Sequence, residues 1–234
     1  SRALSRWHKN FNLQIVKNLE ENFIKNLSEN EVLIFLDLAS GSLDYLAREK
    51  TEVFIFDHHE LAQQVPENVF MVNPILENHE PLSSAAICYL FAKAVSAENR
   101  DLATLAVIGM VGDLHEKNIT KTFGEILQDS EAIVKKGLML YPSTRPLDRA
   151  LEYSSSPYIP GVSGSREGVL SLLRDAGIFP ENGRYKALYE LKDDEMTKLI
   201  TAIVLKNPEK EKMDHENMIG NLFLLKFFNK LEDA

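Results

Sequence analysis

The stretch VFIFDHHE (residues 53–60) places one acid and two imidazoles directly after four apolar residues. An apolar run without polar alternation is typical of a strand that is buried on both faces, as in a parallel sheet. The run VLIFL (residues 32–36) ends in the same way on Asp37, and VFMV (residues 69–72) is stopped by Asn73-Pro74. The three runs therefore predict three strands of one parallel sheet.

Helical patterns lie between and after these runs, and buried strands joined by helices predict an α/β fold, a parallel sheet flanked by helices. We assign this α/β domain to residues 1–120, with residues 3–27 mostly helical. For residues 121–234 we predict a helical remainder and connector. Its apolar tail, residues 221–228, is expected to form a helix that packs on another domain or chain.

The composition restricts the partners and the compartment. A formal net charge of −9 argues against a broad surface for polyanions, because phosphate contacts need clustered Lys and Arg. No apolar run reaches the roughly 18 residues of a membrane span and no secretory leader is visible, so we expect no membrane partner. Cys88, the single cysteine, lies in an apolar helical pattern, which indicates a core residue and a cytoplasmic protein.

The polar residues that follow the predicted strands indicate a metal site. Asp37, Asp57, His58 and His59 would all lie at the carboxyl edge of the sheet, where ligands bind in such folds, and Asp113 could join them from a helix end. Carboxylates mixed with imidazoles suit Mn²⁺, Zn²⁺ or Fe²⁺ better than Mg²⁺ or Ca²⁺. Such a set suits metal-activated water attacking a phosphoryl group, with the second imidazole contacting the phosphate or protonating the leaving oxygen.

Simpler interpretations stay open for these residues, since an acid at a strand end often caps a turn and adjacent histidines can be solvated. Four further residues are weaker candidates for substrate binding. Ser40 and Gly41 could present backbone N–H groups to a phosphate or merely cap a helix. Arg145 and Arg166, in loops rich in Ser, Gly and Pro, could clamp a phosphate or form salt bridges.

Three segments carry a family resemblance. FLDLASGS (residues 35–42), FIFDHHE (residues 54–60) and VIGMVGDLHE (residues 107–116) resemble motifs two, three and four of the DHH phosphoesterases, a superfamily that includes the RecJ-type single-strand exonucleases. The later segments resemble the archaeal RecJ-like branch, the GINS-associated nucleases; they are NPIL (residues 73–76), STRPLDRAL (residues 143–151) and PYIPGVSGSREGVLSLLRDAGI (residues 157–178).

The resemblance implies a function and a role for each matching residue. It implies a DHH-type parallel sheet and Mn²⁺-dependent phosphodiester hydrolysis at two metals, with Mg²⁺ as an alternative. The substrate would be single-stranded DNA or RNA in replication or repair, and GINS and the replicative helicase would be partners. Asp37, His58 and Asp113 match metal ligands, His59 matches the residue at the reacting phosphate, and Asp57 matches a residue that orients the histidines.

The same resemblance implies two features that the 234 residues do not contain, an Asp-x-Asp first motif before Ser1 and a Gly-rich substrate-binding domain. We therefore expect residues 1–234 alone to bind Mn²⁺ weakly and to hydrolyse little. Two alternatives stay open. One is a non-catalytic replisome scaffold that binds GINS and helicase, and the other is a phosphoesterase acting on short oligonucleotides or cyclic dinucleotides.

Overall fold

The computed structural model describes residues 1–28, 31–47, 51–206, 218–227 and 230–234. The chain divides into two compact units, Ser1–Ser130 and Glu131–Ala234. The boundary drawn from the sequence lay ten residues earlier, and the structure assigns the helix Lys121–Ser130 to the first unit.

A three-stranded parallel sheet forms the centre of the first unit. Its strands are β1 (Leu33–Leu36), β2 (Val53–Phe56) and β3 (Val69–Val72), in the order β1-β2-β3. In the register of the sheet, Leu36 is paired with Phe56 and Phe56 with Val72, so the three strands end at one edge. The predicted α/β class, with a parallel sheet flanked by helices, is confirmed.

The two faces of this sheet are covered to different extents. On one face Phe35, Val53 and Ile55 are buried with Ile24 of helix α2 (Glu21–Lys25) and with the 3₁₀ turn Leu43–Leu46. On the other face Phe56 packs against Phe91, with ring centroids 4.9 Å apart. Four apolar side chains of that face remain about half exposed: Ile34, Leu36, Phe70 and Val72. Among the described residues, burial on both faces therefore holds only for the central strand.

Three helices complete the first unit: α3 (Ser84–Val95), α4 (Ala103–Gly112) and α5 (Lys121–Ser130). Ser83 caps α3, because its hydroxyl accepts a hydrogen bond from the N–H of Ala86 at 3.2 Å. The chains of α3 and α4 approach closely at Gly109, where an added Cβ would lie 2.4 Å from the Cβ of Ala85. This contact fixes the end of α4, which carries Asp113.

The amino-terminal segment is less helical than predicted. Only α1 (Arg2–Arg6) and α2 are α-helical, and the residues between them have no regular secondary structure. The guanidinium of Arg6 donates two hydrogen bonds to the carboxylate of Asp101, at 2.6 and 2.7 Å, and so attaches α1 to the 3₁₀ helix Ala97–Leu102.

The second unit combines helices with an antiparallel sheet. Its helices are α6 (Leu147–Glu152), α7 (Arg166–Asp175) and α8 (Asp193–Lys206), and its strands are β4 (Ile133–Leu138), β5 (Ile219–Phe227) and β6 (Lys230–Asp233), in the order β4-β5-β6. The helical prediction is wrong for two segments, the one that forms β4 and the apolar tail.

The apolar tail forms strand β5 between two partner strands. Leu222, Phe223, Leu224 and Leu225 are all buried, and Leu222 belongs to the core of the second unit. Their burial within the unit accounts for the apolar run without another chain; Phe228 lies outside the described residues. In the part of the chain that the structure describes, no helix has the length and hydropathy needed to cross a bilayer.

The turn after α4 provides a test of local backbone strain. Leu114 has a φ of 60°, a left-handed conformation that costs an L-residue about 1–2 kcal/mol, and its side chain is 73% exposed. We expect Leu114→Gly to stabilise the first unit by about 1 kcal/mol, because glycine adopts this conformation freely and little apolar burial is lost. Urea unfolding followed by the fluorescence of Trp7 measures the change.

The same substitution inside α4 is the matched control. Leu105 is 54% exposed in the helix, and Leu105→Gly is expected to destabilise the unit by about 1 kcal/mol or more. A loss of stability in both variants would contradict the assignment of strain to Leu114.

Candidate metal centre

A buried carboxylate organises the end of β2. Asp57 is 1% exposed and accepts hydrogen bonds from Ser40 of the preceding strand's loop, through the hydroxyl at 2.6 Å and the backbone N–H at 3.3 Å. Its other oxygen accepts from the backbone N–H groups of His58 at 2.8 Å and His59 at 3.4 Å, and lies 2.6 Å from Nδ1 of His59. One side chain thus holds two strand ends together.

The protonation states follow from these contacts. Burial alone would raise the pKa of Asp57, but the hydrogen bonds from Ser40, His59 and the backbone together hold that pKa below its usual range. The hydrogen bond to Asp57 raises the pKa of His59, and the charges of Asp37 and Asp113 add to this effect. Asp57 is therefore a carboxylate acceptor at neutral pH, and it keeps a proton on Nδ1 of His59.

His58 lies between two acids that come from distant parts of the chain. Its Nε2 is 3.5 Å from Oδ1 of Asp37 and 3.8 Å from Oδ2 of Asp113. These separations are too long for strong hydrogen bonds, yet they approach the roughly 3.0–3.4 Å between neighbouring ligand atoms of one cation with bonds near 2.1 Å. The imidazole is only 21% exposed and makes no hydrogen bond with any residue that the structure describes.

The ends of regular elements place the two acids. Asp37 follows β1, and its N–H still donates to the carbonyl of Phe56 at 3.0 Å before the chain turns away with φ values of 60° at Asp37 and 94° at Ala39. Asp113 caps α4, where its N–H donates to the carbonyl of Gly109. The close crossing at Gly109 therefore determines where this carboxylate lies.

The donor atoms fit a divalent cation. Two sets of side chains have ligand atoms that all lie within 4.8 Å of one another: Asp37, His58 and His59 form one, and His58, Asp113 and His115 form the other. Each set mixes imidazole nitrogen with carboxylate oxygen, which suits first-row transition cations. Asp37, His58 and Asp113, the three predicted metal ligands, are thus brought together around one imidazole.

A cavity of about 600 Å³ in the first unit reaches this site. Asp37 and Asp113 line it together with apolar side chains of α3 and α4, among them Leu105. Cys88 also lines it, and burial raises the pKa of this thiol to about 11, so a thiolate nucleophile is disfavoured there.

The four residues predicted to bind substrate differ in burial and in the partners that they contact. Ser40 is buried and both its donors contact Asp57, so neither is free for a phosphate; Gly41 is exposed. In the second unit Arg166 donates to Asp148 at 2.7 Å and Glu152 at 3.4 Å, which is the salt-bridge alternative. Arg145 is exposed and has no ion pair with any residue in the described ranges.

Two residues of the site were not among the predicted site residues. For His115 the sequence allowed a metal ligand, but a solvated loop histidine was the preferred interpretation. Asn73 follows β3 and donates to the backbone carbonyl of His59 at 2.8 Å, which braces the loop that carries both histidines. His115 contributes a ring nitrogen to the second set of ligands. An amide directly after the third apolar run and an imidazole two residues beyond Asp113 were the available signals, but both also occur in ordinary turns.

The chain is similar to known proteins in sequence and in fold. Residues 140–218 match the DHH-CID domain. The chain is 26% identical over 249 aligned positions to the uncharacterized protein MJ0831 of Methanocaldococcus jannaschii, and the match covers all of this chain and 54% of that protein. The fold is similar to that of CDC45 from Entamoeba histolytica, with a TM-score of 0.52 and 14% identity, over 86% of this chain and 46% of the other.

The chain spans about half the length of both relatives. The resemblance to the DHH proteins that the three motifs indicated is confirmed by the match of the later residues to the DHH-CID domain. The similarity to CDC45 is one of fold.

The pair of Asp57 and His59 can be tested by titration without metal. We expect Asp57→Asn to lower the pKa of His59 towards or below 6.5, because the charged acceptor at Nδ1 is removed. NMR titration of the His59 ring in the presence of a chelator measures this pKa. Ser40→Ala, which removes a hydrogen bond to the other oxygen of Asp57, is the control and should change it less. An equal pKa in wild type and Asp57→Asn would contradict the proposed pairing.

Proposed function

We propose that residues 1–234 form the phosphodiesterase portion of a RecJ-like exonuclease that acts on single-stranded nucleic acid and uses Mn²⁺. The observation that carries the proposal is the position of His58, whose ring nitrogen lies 3.5 Å from Asp37 and 3.8 Å from Asp113 without a hydrogen bond to a described residue. One ring nitrogen and two carboxylate oxygens thus surround one position, which is a donor set that a divalent transition cation binds.

Asp37, His58 and Asp113 would hold the cation. When bound there, a divalent cation supplies Lewis-acid activation of water and neutralises charge on the phosphate. With a formal net charge of −9, the protein needs such local positive charge to bind a phosphodiester. The cavity that Asp37 and Asp113 line would give the substrate access to this position.

His59 would act on the leaving group. Its side chain is 58% exposed, whereas that of Asp57 is buried. Because Nδ1 is hydrogen-bonded to Asp57, Nε2 is the ring nitrogen that would face the leaving group. The carboxylate raises the pKa of His59, so a larger share of the ring carries a second proton near neutral pH. A protonated imidazole oriented in this way can donate its proton to a departing oxygen.

The biological setting belongs to the proposal as well. The resemblance of residues 143–151 and 157–178 to the GINS-associated nucleases supports a role in replication or repair, with GINS and the replicative helicase as partners. Mn²⁺ rather than Mg²⁺ is favoured by the imidazole of His58 in the ligand set.

Removal of the central imidazole tests the activity. We expect the complete gene product that contains this chain to shorten end-labelled single-stranded DNA or RNA with Mn²⁺, and His58→Ala to reduce the rate at least 100-fold, because the shared ligand is lost. His79→Ala is the control, since that exposed histidine pairs with Glu77 and belongs to neither set of ligand atoms. Undiminished cleavage by His58→Ala would contradict the metal assignment.

The same assay distinguishes the scaffold alternative. If the complete protein binds Mn²⁺ through His58 and does not cleave single strands, short oligonucleotides or cyclic dinucleotides, the hydrolase proposal is wrong and the non-catalytic scaffold is favoured. Cleavage confined to the small substrates would instead support the second alternative.

A separate substitution tests the role of His59. We expect His59→Gln to lower the cleavage rate by about 10²–10⁴-fold, the usual contribution of a general acid, while the affinity for Mn²⁺ stays within about twofold of wild type. Calorimetric titration with Mn²⁺ and a single-turnover assay measure the two quantities. A large loss of Mn²⁺ affinity in this variant would instead make His59 a metal ligand.

A further inference from the structure

His115 lies beside the metal centre, two positions after Asp113 and within the segment of residues 107–116 that resembles motif four. Its ring offers a nitrogen that lies within 4.8 Å of the ligand atoms of His58 and Asp113. It starts the 3₁₀ turn His115–Lys117, which comes directly after the end of α4. The side chain is partly buried, and its imidazole makes no hydrogen bond or ion pair with any residue in the described part of the chain.

The turn that brings His115 to this position is unfavourable in two ways. Leu114 has φ 60° and ψ 30°, a conformation that glycine or asparagine normally supplies at a helix end. Its apolar side chain is also 73% exposed. The left-handed residue reverses the chain, so that Asp113 before it and His115 after it present ligand atoms to one place. Local strain that serves no packing contact is typical of functional sites.

The two sets of ligand atoms share His58. One ring nitrogen binds one cation, and Nε2 of His58 is the atom that lies near both Asp37 and Asp113. A single cation bound to Nε2 of His58 would therefore lie near ligand atoms of both sets. A cation bound to His58 and Asp113 then has the nitrogen of His115 within reach.

We infer that His115 is a further ligand of this cation beside Asp37, His58 and Asp113, and that the two imidazoles make the site selective for transition cations over Mg²⁺. Two imidazoles and two carboxylates are a donor set for Mn²⁺, Fe²⁺, Co²⁺ or Zn²⁺, whereas Mg²⁺ prefers oxygen ligands and retains its water. Four protein ligands still leave positions of an octahedral cation open for water and substrate. The inference rests on the metal site of the proposed function and extends its ligand set.

The test compares metal binding in His115→Gln, in His58→Ala and in the control His79→Gln, each in the complete gene product. We expect His115→Gln to weaken Mn²⁺ and Co²⁺ binding about tenfold or more, and Mg²⁺ binding by less than about twofold, because only the softer cations use the imidazole. Pulsed EPR of bound Mn²⁺ should show one coupled nitrogen fewer in His115→Gln than in the wild type and in His79→Gln.

A thermal unfolding midpoint equal to that of the wild type, measured without metal, shows that His115→Gln is folded. If it is not folded, His115→Asn replaces it in the same measurements. Unchanged Mn²⁺ affinity and an unchanged nitrogen count in His115→Gln, with binding abolished in His58→Ala, would overturn this inference and leave the proposed metal site intact. Binding that survives in His58→Ala would overturn the metal site itself. Because the readout is binding, it does not depend on whether the protein cleaves nucleic acid.

Discussion

The hydrogen-bonded carboxylate of Asp57 is the constraint on which the first unit and its site both depend. An ionised carboxylate at 1% exposure is costly unless its oxygens are fully engaged. Here one oxygen is used by Ser40, which belongs to the loop after β1, and the other by His59 and two backbone N–H groups after β2. The group that satisfies the buried charge therefore also joins neighbouring strand ends and orients a histidine.

Short sequence patterns were sufficient for the parallel sheet and insufficient for the antiparallel one. VLIFL and VFIF end on polar residues and contain no helical spacing, and the structure forms β1 and β2 there. The run NLFLLKF is apolar in the same way, but it can be a buried helix as well as a strand between two partners. Its partner strands, β4 and β6, lie on either side of it. Because β4 is about 80 residues away in the chain, a local hydrophobic pattern does not indicate this pairing.

In the candidate site, the contribution of the sheet topology could be predicted from the sequence, but the local backbone geometry could not. That Asp37 and His58 meet follows from a general property of parallel sheets, because adjacent strands end at one edge. The helix that presents Asp113 could also be predicted from its apolar pattern. The role of Ser40 and the position of His115 depend on individual φ angles at Asp37, Ala39 and Leu114, none of which is glycine. Because these residue types rarely adopt positive φ angles, the sequence did not indicate the turns.

The placement of the ligands on three distant segments has a thermodynamic consequence. The unfolded chain does not hold Asp37, His58 and Asp113 together, so a cation that they bind stabilises the folded state by an amount that grows with its free concentration, about 2.7 kcal/mol at 100 times the dissociation constant. All three residues lie in the first unit. The stability of that unit would then follow the supply of divalent cations, whereas the antiparallel sheet of the second unit would not depend on it, so depletion of metal would weaken one half of the chain and not the other.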